Sequence, residues 1–279
     1  MLSEIAPAKI NLALHVRARR ADGYHDIESL FAFAEDGDVL HAEPADALSL
    51  IIEGPFAEAL AHEGTDNLVL RAARALAQAF DVDAGARLTL DKRVPVAAGL
   101  GGGSADAAAA LRLLARLWRI DAGDPCIGEI AAGLGADVPA CLASQTLRGE
   151  ARGDVLLVAD GSGLSTMPLL LANPRIPLAT GPVFKGWDGV DRGALAPGDP
   201  LDAARAGRND LEPPAIALVP EIGALVAMLA AQPGAVLARM SGSGASCFAL
   251  FDRPAARSAA ATALRARWPG YWCLETVLK

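Results

Sequence analysis

The sequence predicts an α+β fold. Segments that alternate apolar and polar residues are mixed with segments of helical spacing, without the strict alternation that a doubly wound parallel sheet requires. The chain has 279 residues, of which 52% are hydrophobic and only 5% aromatic. This length suits one large or two moderate domains, in which alanine, leucine and valine supply most of the packing. We place a boundary near residue 148, giving domains 1–148 and 149–279.

In the first half, period-two alternation predicts strands over 8–19, 27–34, 38–42, 47–53 and 86–91. Apolar residues spaced three and four apart predict helices over 67–80, 105–117 and 125–134. Glycine and proline predict a turn at 21–23 and a helix break at 135–139.

In the second half, short apolar runs predict strands over 155–159, 169–172 and 271–277. Helices are predicted over 214–231 and 255–268, and an irregular Pro/Gly-rich connection over 181–200. Residues 236–251 form two apolar arms around the sequence Ser-Gly-Ser-Gly-Ala at 241–245. A hairpin turn is the simplest interpretation of that segment.

Charge and composition exclude several classes of protein. The net charge of −8 argues against a general nucleic-acid or membrane-surface binder. The cysteines are scattered without CxxC spacing, which favours reduced thiols in a cytoplasmic protein. All histidines lie within the first 62 residues, so no metal-ligand set is predicted. Glu4 and Lys9 interrupt the apolar core that a signal peptide would need.

The glycine-rich segment 95–105 is the most informative stretch of the chain. Four glycines stand within residues 99–103 and lead directly into a predicted helix. Glycine permits close approach of the backbone to a ligand, and a helix N-terminus presents unpaired N–H groups that favour phosphate. Ser104 suits the cap or first turn of this helix, where Asp106 adds a carboxylate. A tight strand-to-helix connection explains the glycines about as well.

Two common nucleotide-binding patterns do not fit this spacing. No Gly-Lys-Ser/Thr follows, as a P-loop would require. Ser104 replaces the third glycine of a dinucleotide fingerprint, and residues 87–95 are too polar for the buried strand before it. A dinucleotide-dependent oxidoreductase is therefore a distant alternative.

Lysine is rare in this chain. It occurs only at Lys9, Lys92, Lys185 and Lys279, whereas arginine supplies the rest of the 25 basic residues. A need for a compact ammonium at these positions would explain the pattern, and so would the chance survival of a few lysines.

Three segments occur in an order typical of one kinase superfamily. They are 7–12 (Pro-Ala-Lys-Ile-Asn-Leu), the glycines and serine of 99–104, and 241–245. This order resembles the three motifs of the GHMP kinases, and the resemblance covers nearly the whole chain. It implies an N-terminal domain like that of ribosomal protein S5, a ferredoxin-like C-terminal domain, and substrates bound in the cleft between them.

Further segments resemble one branch of this superfamily, the kinases of 4-diphosphocytidyl-2-C-methyl-D-erythritol. The most specific are 20–25 (Arg-Ala-Asp-Gly-Tyr-His) and 134–139 (Leu-Gly-Ala-Asp-Val-Pro), joined by 66–68 and 209–212. The implied reaction moves the γ-phosphoryl group of ATP to the 2-hydroxyl of that cytidyl-linked sugar alcohol, in the non-mevalonate route to isoprenoid precursors.

The resemblance also implies roles for individual residues. Asp137 would be the general base, and Lys9 would lie beside it and stabilise charge on the reacting oxygens. Without the resemblance, a turn aspartate and a strand lysine would be interpreted as structural. ATP would be bound by Pro95, Val96, Ala97, Ala98, Gly99, Leu100, Gly101, Gly102, Gly103, Ser104 and Ala105. Alanines at 97 and 98 replace glycines that are frequent in the family.

The substrate would be held by residues from three segments: Asn11, Tyr24, His25, Phe184, Gly242 and Gly244. An aromatic ring can stack on a cytosine and a histidine can hydrogen-bond its edge. The 241–244 turn is expected to lie near the reacting groups, which is compatible with its role in a hairpin.

The implied small-molecule partners are ATP, with Mg²⁺ that its chemistry requires, and the cytidyl-linked alcohol. No nucleic-acid or membrane partner is expected, and the chain is expected to be a monomer or a weak homodimer. Two alternatives stay open: a kinase of another small alcohol, such as homoserine or mevalonate, and a nucleotide-binding protein that has lost the chemistry.

Overall fold

The computed structural model describes residues 1–62 and 64–279 and has mixed α and β content. The described chain forms two compact units. The first unit comprises Met1–Ala8, Asp36–Val96 and Gly101–Ser144, and the second comprises Lys9–Glu35, Ala97–Leu100 and Gln145–Lys279. Two long strands, β1 (Leu2–Arg19) and β2 (His25–Ala45), contribute residues to both units. The predicted boundary at residue 148 stays a prediction, because compactness and domain ancestry are different properties.

The first unit combines a small sheet with a group of helices. Its remaining elements are β3 (Ser49–Glu53), 3-10 turns at Ala57–Leu60 and Gly64–Asp66, α1 (Leu68–Ala79), β4 (Gly85–Asp91), α2 (Gly102–Trp118), α3 (Pro125–Leu134) and α4 (Val138–Ala143). Strand β4 pairs antiparallel with the end of β2 and parallel with β3. Helix α2 packs against α1, α3 and α4. Its alanines and leucines are almost fully buried, so small side chains allow close helix packing.

The second unit is built on an antiparallel sheet. Its remaining elements are β5 (Leu147–Glu150), β6 (Val155–Val158), β7 (Pro168–Asn173), α5 (Thr180–Lys185), α6 (Pro200–Ala206), α7 (Glu212–Leu218), α8 (Glu221–Ala230), β8 (Ala235–Met240), β9 (Cys247–Phe251), α9 (Pro254–Arg267) and β10 (Trp272–Val277). Four strands run in the order β10-β7-β9-β8, and α8 and α9 pack against this sheet. The separation of helices from an antiparallel sheet confirms the predicted α+β class.

One predicted interruption in the first half is absent. The strands predicted at 27–34 and 38–42 are one continuous strand, β2. The exposed Glu35 and Asp36 disturb the alternation of side chains, but the backbone remains extended. Gly37 then allows β1 to pass closely, since a Cβ there would collide with the carbonyl oxygen of Ala6.

Other differences arise at prolines and caps. The helix predicted over 214–231 is two helices, α7 and α8, because Pro220 has no N–H to donate and begins a new helix instead. Part of the irregular segment 181–200 is helical, as α5. Helix α6 was not predicted, although Asp199 accepts from the N–H groups of Leu201 and Asp202 and caps it. Strand β5 was also missed.

Candidate active site

The start of the glycine loop, 97–100, packs against the C-terminal glycine turn within the second unit. Gly99 has a φ of +76°. A Cβ on Gly99 would collide with the carbonyl oxygen of Ser241 and lie 2.8 Å from that of Gly244. The Ser241 hydroxyl donates to the Gly99 carbonyl at 2.8 Å, and the Ser246 N–H donates to the Ala98 carbonyl at 3.1 Å. Residues 97–100 and the C-terminal glycine turn are therefore in direct contact.

Strand β1 joins both glycine segments through a buried polar network. The Asn11 N–H donates to the Ser241 hydroxyl at 3.2 Å, while the Asn11 amide donates to Ser29 Oγ at 2.7 Å. The Lys9 N–H donates to the Leu100 carbonyl at 2.9 Å. Three segments that are far apart in the sequence thus meet at one place, and they are the three segments that carried the kinase resemblance.

Lys9 is buried within this network. Its side-chain ammonium lies 3.2 Å from Asn11 Oδ1 and 4.7 Å from the centroid of the Phe31 ring. A buried ammonium is costly unless it has polar partners, and this network offsets part of that cost. Asp137, its predicted partner, belongs to the first unit, where it is half-buried and precedes α4. Their predicted pairing stays a prediction.

The second part of the glycine loop begins helix α2 in the first unit. Gly101 is the residue before the helix and has a φ of +64°, a conformation that glycine adopts without strain. Helix α2 begins at Gly102, three residues earlier than the sequence predicts. Ser104 therefore lies in the first turn rather than at the cap. The N–H groups of that turn have no acceptor within the helix and can donate hydrogen bonds to an anion.

These features suit an anionic ligand such as a phosphate group. Positive φ at Gly99 and Gly101 curves the chain. Gly103 is exposed at the start of a 17-residue helix whose dipole favours negative charge at this end. Ala97 also has a positive φ, +51°, so this loop keeps the curvature without the glycine frequent in the family.

The C-terminal turn is held rigidly. It joins β8 to β9, which confirms the hairpin interpretation. Gly242 and Gly244 have φ values of +57° and +88°. The Asn209 amide donates to the carbonyls of Met240 and Gly242 at 2.9 and 2.8 Å. Asn209 was part of the resemblance, and the structure gives it a supporting role for this turn.

A cluster of aromatic rings surrounds His25. Its ring centroid lies 5.0 Å from that of Phe184 and 5.8 Å from that of Trp187. Burial, reinforced by the Arg19 guanidinium, lowers the pKa of His25, so the ring is neutral near pH 7. Among the described residues, neither His25 Nε2 nor Trp187 Nε1 has a hydrogen-bond partner although both are buried. Two such atoms beside aromatic rings suit a planar polar ligand.

The structure brings together part of the predicted substrate set. His25 and Phe184 are in ring contact, whereas Tyr24 is 58% exposed and has the Arg152 guanidinium 5.4 Å from its ring centroid. Trp187 was missed by sequence reasoning. The signal available was its position three residues after Phe184, which places both on one side of a helical turn.

The described part of the chain has neither a metal-ligand group nor a membrane-spanning helix. Within residues 1–62 and 64–279, His, Cys, Asp and Glu form no group of three or more that could hold a metal ion. None of the helices in these ranges combines the length and apolar character that a bilayer span needs.

Comparison with known proteins identifies the family. Residues 67–145 match the model described as GHMP kinases N terminal domain, and residues 193–270 match GHMP kinases C terminal. The chain belongs to the GHMP kinase family. Kinases of this family use ATP. The predicted two-domain GHMP kinase fold is therefore confirmed.

Named relatives of this GHMP kinase are similar over their whole length. A 4-diphosphocytidyl-2-C-methyl-D-erythritol kinase of Rhizorhabdus wittichii is 62% identical, covering 99% of this chain and 94% of the relative. One of Sphingopyxis alaskensis is 50% identical, covering 100% and 99%.

Solved structures agree with this fold. A crystal structure of 4-(cytidine 5'-diphospho)-2C-methyl-D-erythritol kinase is 35% identical with a TM-score of 0.78, covering 99% of both chains. Homoserine kinase from Cytophaga hutchinsonii is 19% identical with a TM-score of 0.70, covering 99% of this chain and 95% of that one. The homoserine kinase shares the fold, which by itself says nothing of the substrate.

Proposed function

We propose that this GHMP kinase transfers the γ-phosphoryl group of ATP to the 2-hydroxyl of 4-diphosphocytidyl-2-C-methyl-D-erythritol. The observation that carries the choice of substrate is the cluster of His25, Phe184 and Trp187. It offers ring faces and two buried, unpartnered polar atoms, which a cytosine base would use. Mevalonate and homoserine have no such base. The names of relatives at 62% and 50% identity support the same substrate.

In this proposal, the loop 95–105 holds the triphosphate. Phosphoryl transfer depends mainly on positioning and on stabilising charge, and backbone N–H groups at a helix N-terminus provide both. Contacts of Gly99 with Ser241 and Gly244 fix the loop before ATP arrives. Little of the binding free energy is then lost in ordering it.

We assign Asp137 as the general base that accepts the proton of the acceptor hydroxyl. Lys9 supplies an ammonium that stabilises negative charge developing on the reacting oxygens. The Asn11 amide fixes the position of Lys9 at one end and of Ser29 at the other. Asn11, Gly242 and Gly244 are assigned to the substrate side, with Tyr24 as a second ring for the base.

Magnesium is proposed to arrive bound to the phosphates of ATP. The described residues offer no acidic cage for it, so none of the roles above requires a protein ligand to the metal. We also propose that the chain acts in the cytoplasm as a monomer or weak homodimer. Its scattered free cysteines support that location.

The decisive experiment is a coupled ADP-release assay. The purified chain receives ATP, Mg²⁺ and one of three acceptors: the cytidyl-linked alcohol, mevalonate or homoserine. We expect turnover with the cytidyl-linked alcohol and background ADP release with the others, and a reaction without acceptor measures that background. Turnover with mevalonate or homoserine alone would overturn the substrate assignment.

A further inference from the structure

Three charged side chains are buried together in the first unit. The Lys92 ammonium donates to Asp38 Oδ2 at 2.5 Å and to Asp106 Oδ2 at 2.7 Å. The exposed fractions of the Lys92, Asp38 and Asp106 side chains are 2%, 1% and 3%. Lys92 directly follows β4, Asp38 lies in β2 and Asp106 lies in α2, so the cluster ties three elements together.

The same cluster holds the chain just before the ATP-binding loop and within it. Asp38 Oδ1 accepts from the N–H groups of Arg93 at 2.6 Å and Val94 at 2.8 Å, the two residues before the loop. Within the loop, where α2 begins, a Cβ on Gly102 would lie 3.0 Å from the Lys92 ammonium. The first residue of α2 therefore lies directly against the cluster, and a side chain there would displace it.

The charges within the cluster do not balance when all three groups are ionised. Burial raises the pKa of Asp106 to about 7, with Lys92 opposing the shift and Asp38 adding to it. Despite its burial, the carboxylates of Asp106 and Asp38 raise the pKa of Lys92. Asp106 Oδ1 has no hydrogen-bond partner among the described residues, which also disfavours its ionised form. The cluster is neutral with Asp106 protonated and carries one negative charge otherwise.

Stability alone is a poor explanation for such a cluster. Desolvating three charges is expensive, and apolar side chains of similar volume often stabilise a protein as well or better. What apolar residues cannot do is accept two backbone N–H groups and fix a glycine at the same point. The cluster contacts the residues that lead into the loop and the first turn of α2. What matters there is the orientation of the backbone N–H groups rather than added stability.

We propose that Lys92, Asp38 and Asp106 are positioning residues for ATP, which orient the loop and the first turn of α2 toward the triphosphate. This inference rests on the proposed ATP-dependent function. It assigns no contact between the three side chains and the nucleotide. An added negative charge behind a helix N-terminus opposes anion binding, so ionisation of Asp106 weakens ATP binding.

The first test compares the wild-type protein with Asp106→Asn, which keeps the shape and an oxygen for Lys92 but cannot ionise. Calorimetry gives the Kd of ATP with Mg²⁺, without acceptor, at pH 6 and pH 8.5. Protonation of the nucleotide itself is common to both proteins and cancels in the comparison. We expect equal Kd values at pH 6 and about fivefold tighter binding by Asp106→Asn at pH 8.5.

The second test uses Lys92→Met in steady-state assays. We expect the KM for ATP to rise about tenfold, with the KM for the cytidyl-linked alcohol unchanged and kcat at saturating ATP retained. A purely structural role would move all three parameters together and lower the folded fraction seen by circular dichroism. Where Lys92→Met does not fold, the Asp106→Asn comparison decides.

Parallel pH dependence of Kd in the wild type and Asp106→Asn overturns the proposal. The proposed function fails in a different way. If the wild type binds ATP with the expected pH dependence but does not turn over the cytidyl-linked alcohol, the acceptor assignment is wrong and the positioning role stands.

Discussion

At the scale of single residues, the rarity of lysine was an informative signal. Lys9 and Lys92 are both almost fully buried, each among polar partners. Arginine has a broader, planar head that needs more room and more acceptors, so a compact ammonium suits these two places. Composition alone indicated that a few lysines had special roles, but it did not distinguish a reacting lysine from a positioning one.

The proposed catalytic residues lead to the first prediction. Asp137→Asn removes the proton acceptor and Lys9→Ala removes the ammonium, so each is expected to lower kcat about 10²–10⁴-fold. The coupled assay at saturating ATP measures the loss, and circular dichroism checks that the variants fold. Near-normal turnover of a folded Asp137→Asn protein would contradict its role as base.

The aromatic cluster leads to the second prediction. Phe184→Ala removes a ring next to His25 and is expected to raise the KM for the cytidyl-linked alcohol about tenfold, with the KM for ATP unchanged. Tyr24→Ala is expected to reduce selectivity for cytidine, and Tyr24→Phe is the matched control that keeps the ring. Selectivity equal to wild type in both alanine variants would place the base elsewhere.

At the scale of elements, Ser241 joins three segments with one hydroxyl. It accepts from the Asn11 N–H on β1 and donates to the Gly99 carbonyl in the glycine loop, while its own backbone begins the turn after β8. Sequence reasoning located all three segments but not the bond between them. Such bonds depend on tertiary placement, which no local pattern encodes.

Ser241→Ala is the third prediction. It leaves a buried N–H and a carbonyl without their partner, which costs about 1–3 kcal/mol of unfolding free energy. Denaturant unfolding should show the loss, and the KM for ATP should rise because the loop is less well fixed. Ser165→Ala, at an exposed serine, is the matched control. Equal stability of the two variants would mean that water replaces the hydroxyl.

At the scale of the whole molecule, much of the fold was predictable because its elements carry clear local signals. The period of the apolar residues located α1, α3, α9 and β10 nearly to the residue. The boundaries between neighbouring elements were harder to predict. Charged residues inside β2 gave a false interruption, and a proline inside one apolar run divided α7 from α8. Backbone pairing keeps β2 continuous, and the missing N–H of the proline ends the helix. The pattern of side chains determines neither of these boundaries.

The candidate site was predictable only in part, since the resemblance supplied residues rather than their environment. It located Lys9, Asn11 and His25, which the structure places within the second unit. It gave no indication that Trp187 packs against His25. The sequence pattern itself predicted a helix-end role for Asp106, whereas that carboxylate is buried against Lys92.

The stability of the whole molecule is expected to depend on pH through Asp106, which is the fourth prediction. Its pKa rises from 3.8 to about 7 on folding, so the folded chain holds a proton that the unfolded chain releases between these values. Stability from this group is therefore greatest below about pH 4 and falls as pH rises to about 7.

Asp106→Asn cannot lose a proton, so it should gain stability relative to the wild type as pH rises from 5 to 8. Thermal unfolding at several pH values measures the difference. Asp46→Asn, at an exposed aspartate, provides the control. A difference in Tm that stays constant across this range would contradict the shift.

Strand β1 contributes residues to both units, which affects folding during synthesis and the behaviour of fragments. Residues 9–35 leave the ribosome early, yet their partners include Asn209 beside Leu14 and Leu278 beside Ala34. These early residues can pair with each other, as β1 with β2, but those later partners are missing until synthesis is almost finished. A fragment cut at residue 148 would lack the same C-terminal partners. Splitting this enzyme into separately expressed halves should therefore give aggregation-prone pieces that recover only when both are refolded together.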